Sequence, residues 1–210
     1  KIILFFFFFD DEDPILVDTY YDEYPGESVP LEVWEALTDP NVLKIAQNAN
    51  FELTCIGEYY GLDLDPAQWY CTMIGAAYHG LPLHLDKIAQ VLGLENQKDA
   101  KGKALIKYFS MPCKPTKTNG GRTINEPIHD PERWQLFGEY CRQDVRTEAG
   151  IFNYLRKFPP LPATEWLYWQ QDQAINKRGI YIDREFIEAA IEANTKFLED
   201  VHGEIVQLTG

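Results

Sequence analysis

The stretch EYCRQDVRTEAG, residues 139–150, decides how the chain is read. It lies inside a longer pattern, PERWQLFGEYCRQDVRTEAGIFNYLRKF. There Trp134, Phe137, Cys141, Val145, Ile151, Phe152 and Leu155 recur at helical spacing. Tyr140 and Asp144 stand four residues apart, so a helix carries both on one face. That face is either an ordinary half-buried surface or one wall of a metal-dependent site. A phenol with a pKa near ~10 stays neutral and can orient a water molecule. A carboxylate beside it is a ligand for a hard cation.

Downstream, PPLP (159–162) breaks the helical pattern and marks the domain boundary. The expected domains are residues 1–158 and 163–210. The second begins with a helix to about Asn176, followed by a turn at Gly179 and a short strand, IYID. A long helix then starts near Asp183, which can cap it. Its apolar positions Phe186, Ala190, Phe197, Val201, Ile205 and Leu208 call for a partner surface.

Upstream lies one long irregular stretch, MPCKPTKTNGGRTINEPIHDP, carrying Lys114, Lys117 and Arg122. Long loops of this kind are often functional. Its cations either contact phosphates or simply keep the loop soluble. Before it, residues 1–9 and PILVDTY (14–20) read as two strands joined by an acidic turn. VPLEVWEALTDP reads as a short helix and VLKIAQNA (42–49) as a buried strand. NFELTCIGEYYGL is a helix stopped by Gly61, and DPAQWYCTMIGAAYHGLP a strand turning into a helix. HLDKIAQVLGL, closed by Gly93, and DAKGKALIKYFS are further helices. Strands and helices alternate over the first part of the chain, so the fold class is α/β.

Composition narrows the function classes. The chain has 210 residues and a net charge of −14, which excludes a protein that coats nucleic acid through a basic footprint. It leaves room for an enzyme that holds divalent cations and meets nucleic acid over a small area. Four cysteines without CxxC spacing and four scattered histidines give no zinc pattern, consistent with a reduced cytoplasmic chain. KIILFFFFF is too short to span a membrane, and a buried strand is the expectation.

Glu52, just past the strand VLKIAQNA, offers a second carboxylate, with Asn48 and Asn50 beside it. Both asparagines can cap the following helix or touch substrate.

These residues carry a resemblance. Tyr140-Cys-Arg-Gln-Asp144 fits the Y-x-x-x-D third motif of the DEDD exonuclease superfamily, and Asn48-Ala-Asn-Phe51-Glu52 resembles its second motif. QWYCTM sits where such domains usually have D-T-M, with Cys71 in place of the aspartate. GKALIKYFSMPCKPTKTNGGRT, HDPERWQLFGEYCRQDV and INKRGIYID resemble the proofreading region of phage-type family A DNA polymerases. The resemblance covers most of the chain.

It implies a ribonuclease H-like mixed sheet flanked by helices, followed by the helical start of a polymerase thumb region. It implies 3′–5′ hydrolysis of a single-stranded DNA 3′ end with two divalent metal ions, Mg²⁺ or Mn²⁺. The remainder of the polymerase chain is the implied partner. By the same resemblance Asp144 ligates the catalytic ion, Tyr140 positions the attacking water, and Glu52 acts at the second ion. Asn48, Asn50, Lys114, Lys117 and Arg122 are the candidate DNA contacts.

The family's first motif, D-x-E on the first strand, has no counterpart at the expected place. Asp10-Asp11-Glu12 matches it as text, but in the turn after KIILFFFFF. The expectation is therefore an N-terminally incomplete exonuclease domain that binds metal poorly and hydrolyses slowly or not at all. Two alternatives stand beside it. One is an inactive exonuclease-like scaffold that packs on a polymerase or holds DNA. The other is a free-standing DEDD exonuclease acting on RNA, against which the segment after PPLP speaks.

Overall fold

The computed structural model describes residues 2–10, 12–94 and 100–210. Asp11 of the acidic turn lies outside them. The chain divides into two compact units, Lys1–Gln173 and Ala174–Gly210.

The first unit opens with an antiparallel pair, β1 (Leu4–Phe7) and β2 (Ile15–Asp18), in which Phe5 faces Val17. The phenylalanine run has a physical reason here. Alternate residues of a strand share one face, and the rings of Phe5, Phe7 and Phe9 follow one another with centroids 6.2 and 5.7 Å apart, the first pair tilted and the second edge-to-face. Phe5 is buried and the other two pack against the same core.

Helix α1 (Leu31–Thr38) follows Pro30 and buries Val33 and Leu37. Strand β3 (Lys44–Ala46) runs parallel to β4 (Trp69–Cys71). The buried strand expected over 42–49 is shorter, and only alternate residues point inward. Lys44 and Ala46 are buried, whereas Ile45 faces out. Lys44 is accommodated because its ammonium donates to Asp39 O at 2.6 Å and Gln68 Oε1 at 2.8 Å. Burial pulls its pKa below the ordinary lysine value.

Helix α2 (Asn50–Tyr60) ends where Gly61 turns left-handed at φ 69°. Helix α3 (Thr72–Tyr78) continues directly from β4, and α4 (Leu85–Leu92) and α5 (Ala100–Ser110) follow. Helix α6 (Pro131–Leu155) starts at Asp130, whose side chain accepts from the Arg133 N–H at 3.1 Å. It packs against α3, α4, α5 and the β1–β2 pair. A small core of Ala76, Ile88, Ile151 and Leu155 fastens it to α3 and α4. Phe109, Trp134 and Phe137 fasten it to α5. The Trp134 indole donates to Asp18 Oδ2 at 2.8 Å and ties it to β2.

The described strands thus form two separate two-stranded sheets within a mostly helical α/β unit. The compact unit also runs past PPLP. In α7 (Ala163–Arg178), Trp166 and Trp169 join the main core and Gln173 is buried.

The second unit contains α8 (Arg184–Thr209), capped by Asp183 through the Phe186 N–H at 3.0 Å. The strand expected at IYID is absent: residues 180–183 have no sheet partner, and Tyr181 is 93% exposed. α8 buries none of its residues, as the unpartnered apolar pattern predicts. Among the described residues, no helix is long and apolar enough to cross a membrane.

Candidate functional site

Tyr140, Asp144 and Glu148 occupy successive turns of one face of α6. Tyr140 and Asp144 are the pair expected from sequence. Glu148 was not assigned a role by sequence reading, although its spacing of four residues from Asp144 repeats the same signal. Its importance becomes visible only through its neighbours.

Glu52 reaches this face from the first turn of α2. The chain leaves β3, turns through Gln47–Ala49 with Asn48 left-handed at φ 62°, and enters the helix. That turn is braced on both sides. The buried Thr72 hydroxyl donates to Gln47 Oε1 at 2.6 Å, and Gln47 Nε2 donates to Leu83 O at 2.8 Å. The Gln47 backbone favours the ionised form of the Glu148 carboxylate, which places the turn before α2 beside α6.

Burial dominates the electrostatics. It pushes Glu52 up to about 7, against its own N–H, which favours the ionised form. Glu148 lies well above the ordinary carboxylate range, first through burial and then through the charges of Glu52 and Asp144. One oxygen of each, Glu52 Oε2 and Glu148 Oε1, is buried with no hydrogen-bond partner.

Burial likewise raises the Tyr140 pKa, and the neighbouring Asp144 charge raises it further, so the phenol stays protonated. The Cys141 thiol beside Asp144 is pushed up to about 12 by burial and is inert as a nucleophile. The Tyr140 ring packs directly on Gly102 of α5, where a Cβ would have no room.

The other candidates fall in two places. Asn48 and Asn50 are exposed beside Glu52, and neither caps α2, whose N-cap is Ala49 without a side-chain bond. Lys114 and Lys117 are exposed on the loop after α5. Arg122 is committed to that loop's structure: its Nε donates to Asn125 Oδ1 at 2.9 Å. Asn119 organises the loop's tip, accepting from Thr116 N and Gly121 N at 2.8 and 3.1 Å. Asp13 of the acidic turn pairs with Arg146 at 3.1 Å, on another face of α6. Buried Cys71 ends β4 and leads into α3.

The donors are all oxygen, the type a hard divalent cation takes. Among the described residues, no group of three His, Cys, Asp or Glu side chains is placed to hold one.

The chain is similar to a phage DNA polymerase. It is 48% identical over 208 residues to the protein named DNA polymerase from Bacillus phage SP02. The match takes in 99% of this chain and 32% of that protein, so the chain spans about a third of its curated relative. No family model matches the chain. No solved structure matches it.

Proposed function

We propose that this chain is part of a DNA polymerase of the phage family A type and contributes its 3′–5′ proofreading exonuclease domain. One observation carries the reading. Tyr140 and Asp144 share a face of α6 toward which α2 delivers Glu52, each in the order and spacing of the exonuclease motifs. The similarity to a phage DNA polymerase over nearly the whole chain supports the polymerase context.

In this reading the substrate is the frayed 3′ end of single-stranded DNA. Water attacks the terminal phosphorus, the bond to the 3′ oxygen of the preceding nucleotide breaks, and a nucleoside monophosphate leaves. Asp144 and Glu52 would hold divalent ions, which activate water and stabilise the leaving oxygen in such reactions. Tyr140, kept neutral by its burial and by Asp144, orients the water by hydrogen bonding. Exposed Asn48 and Asn50, beside Glu52, are placed to meet the terminal nucleotide. Lys114 and Lys117 contact the DNA backbone, with Arg122 shaping their loop.

The inactive-scaffold reading has its own support: among the described residues, no group of three His, Cys, Asp or Glu side chains is placed to hold a metal ion. Degradation of a 3′-labelled single-stranded oligonucleotide in Mn²⁺ separates the two. The full polymerase containing this chain should digest it, and its Asp144→Ala variant should not. If the parent polymerises but never digests, or if the variant digests equally, the proofreading reading falls.

A further inference from the structure

The cations of this chain are not spread evenly. Residues 100–125 hold six, Lys101, Lys103, Lys107, Lys114, Lys117 and Arg122, and no acidic residue, although the net charge is −14. At the chain's average density a stretch of that length would hold about four acids. The stretch comprises α5 and the loop that follows it.

Helix and loop are joined. Asn125 Nδ2 donates to the Tyr108 carbonyl at 3.0 Å and Arg122 Nη2 to the Tyr108 hydroxyl at 3.5 Å, so the loop folds back on the end of α5. The other end of α5 lies at the candidate site, because the Tyr140 ring fills the space that a Cβ on Gly102 would need. From Gly102 to Ser110 the helix runs about 12 Å. Along this path Lys103 and Lys107 are exposed on α5, and Lys114 and Lys117 on the loop. Among the described residues, no carboxylate forms an ion pair with any of the four. Lys103 and Lys107 stand four apart, and a like-charged pair at that spacing weakens a helix. An ordinary solvated helix mixes the two signs. This one forgoes that pairing, which a bound polyanion restores.

We propose that α5, through Lys103 and Lys107, and its loop, through Lys114 and Lys117, form one cationic track for single-stranded DNA, along which the strand's phosphates run from the loop to Tyr140. The inference rests on the proofreading reading, to which it adds a path for the nucleotides behind the 3′ end. Lysine suits that path. Its ammonium is a point charge that meets a phosphate without reading the base. The excess of acid elsewhere on the chain repels the strand and confines it to the track.

The test is fluorescence anisotropy of a 5′-labelled oligothymidylate titrated with the 210-residue chain over a series of salt concentrations, in chelator so that nothing is hydrolysed. On a single strand, the logarithm of affinity falls with the logarithm of salt by about 0.7 for each phosphate contact. Lys103→Gln combined with Lys107→Gln should flatten that slope by about 1.4 and weaken binding about tenfold or more at low salt. Lys114→Gln combined with Lys117→Gln, which alters no helix, should do the same. Arg156→Gln combined with Lys157→Gln removes equal charge from exposed positions after α6 and should leave the slope unchanged. Failure of the wild type to bind overturns the proposal, as does a wild-type slope in either lysine pair. An equal loss in the Arg156–Lys157 variant overturns it by reducing the effect to net charge. Displacement by polyglutamate as effective as by unlabelled oligothymidylate marks the track as a seat for an acidic protein and overturns it too. In the full polymerase, the Lys103–Lys107 pair should raise KM for single-stranded DNA more than it lowers kcat. Asp144→Ala decides hydrolysis separately, so the track and the proofreading reading can fail independently.

Discussion

The ring of Tyr140 rests on Gly102, where the backbone of α5 comes close enough to exclude any Cβ. A helix glycine is normally a weakness, and replacing it with alanine normally gains about 1 kcal/mol. Here the ring occupies the space the methyl would need. Gly102→Ala should therefore destabilise, by about 1–3 kcal/mol as overpacked positions do. Urea denaturation measures it, and a stabilised variant would show that the ring is not seated there.

Tyr140→Phe keeps that packing and removes only the hydroxyl. If the phenol orients the attacking water, single-turnover degradation of a 3′-labelled oligonucleotide by the full polymerase should slow about 10- to 100-fold or more. Thermal stability should stay near wild type. Loss of both together would mark Tyr140 as structural only.

Thr72→Val deletes the hydroxyl that holds Gln47. Gln47 Oε1 then loses its donor, at a cost of about 1–3 kcal/mol. The larger effect is on geometry, because the Gln47 turn leads into α2, which carries Glu52 in its first turn. Stability to denaturant and Mn²⁺-dependent digestion should weaken together. A variant with lowered stability but intact Mn²⁺-dependent digestion would uncouple the brace from the site.

Glu52 has a folded pKa raised to about 7. An unfolded glutamate titrates near ~4.3. A raised carboxylate contributes stability below its unfolded pKa that is lost as pH climbs through the folded value. In chelator, Glu52 should thus cost the folded chain roughly 2–3 kcal/mol between pH 4 and pH 8, opposite to the usual carboxylate trend. The comparison is between wild type and Glu52→Gln, which cancels the other acids. The variant's advantage should grow with pH, and a constant difference would place Glu52 in water.

The α8 face offers a different test. Phe186, Phe197 and Leu208 are 71%, 64% and 85% exposed. Apolar surface of that extent binds reporter dyes. Phe197→Gln should lower anilinonaphthalene sulfonate fluorescence while leaving the unfolding midpoint of the first unit within experimental error. A drop in midpoint would mean that Phe197 supports the first unit.

Local chemistry made much of the molecule legible in the sequence. Helical periodicity, Asp130 and Asp183 as caps, and Gly61 and Gly93 as stops act within a few residues of themselves. The same holds for Tyr140 and Asp144, which any helix through them must place on one face. Strand signals failed where pairing was required. IYID has the composition of a strand, but backbone donors and acceptors need a neighbouring strand, and among the described residues none pairs with it.

Only tertiary structure decided what surrounds the carboxylates. Glu148 looks like any helix acid until the tertiary structure buries its Oε1 without a hydrogen-bond partner. Arg122 looks like a free cation until Asn125 takes its guanidinium. Burial is set by residues far away in the chain, and burial is what turns a surface charge into a group that must find a partner.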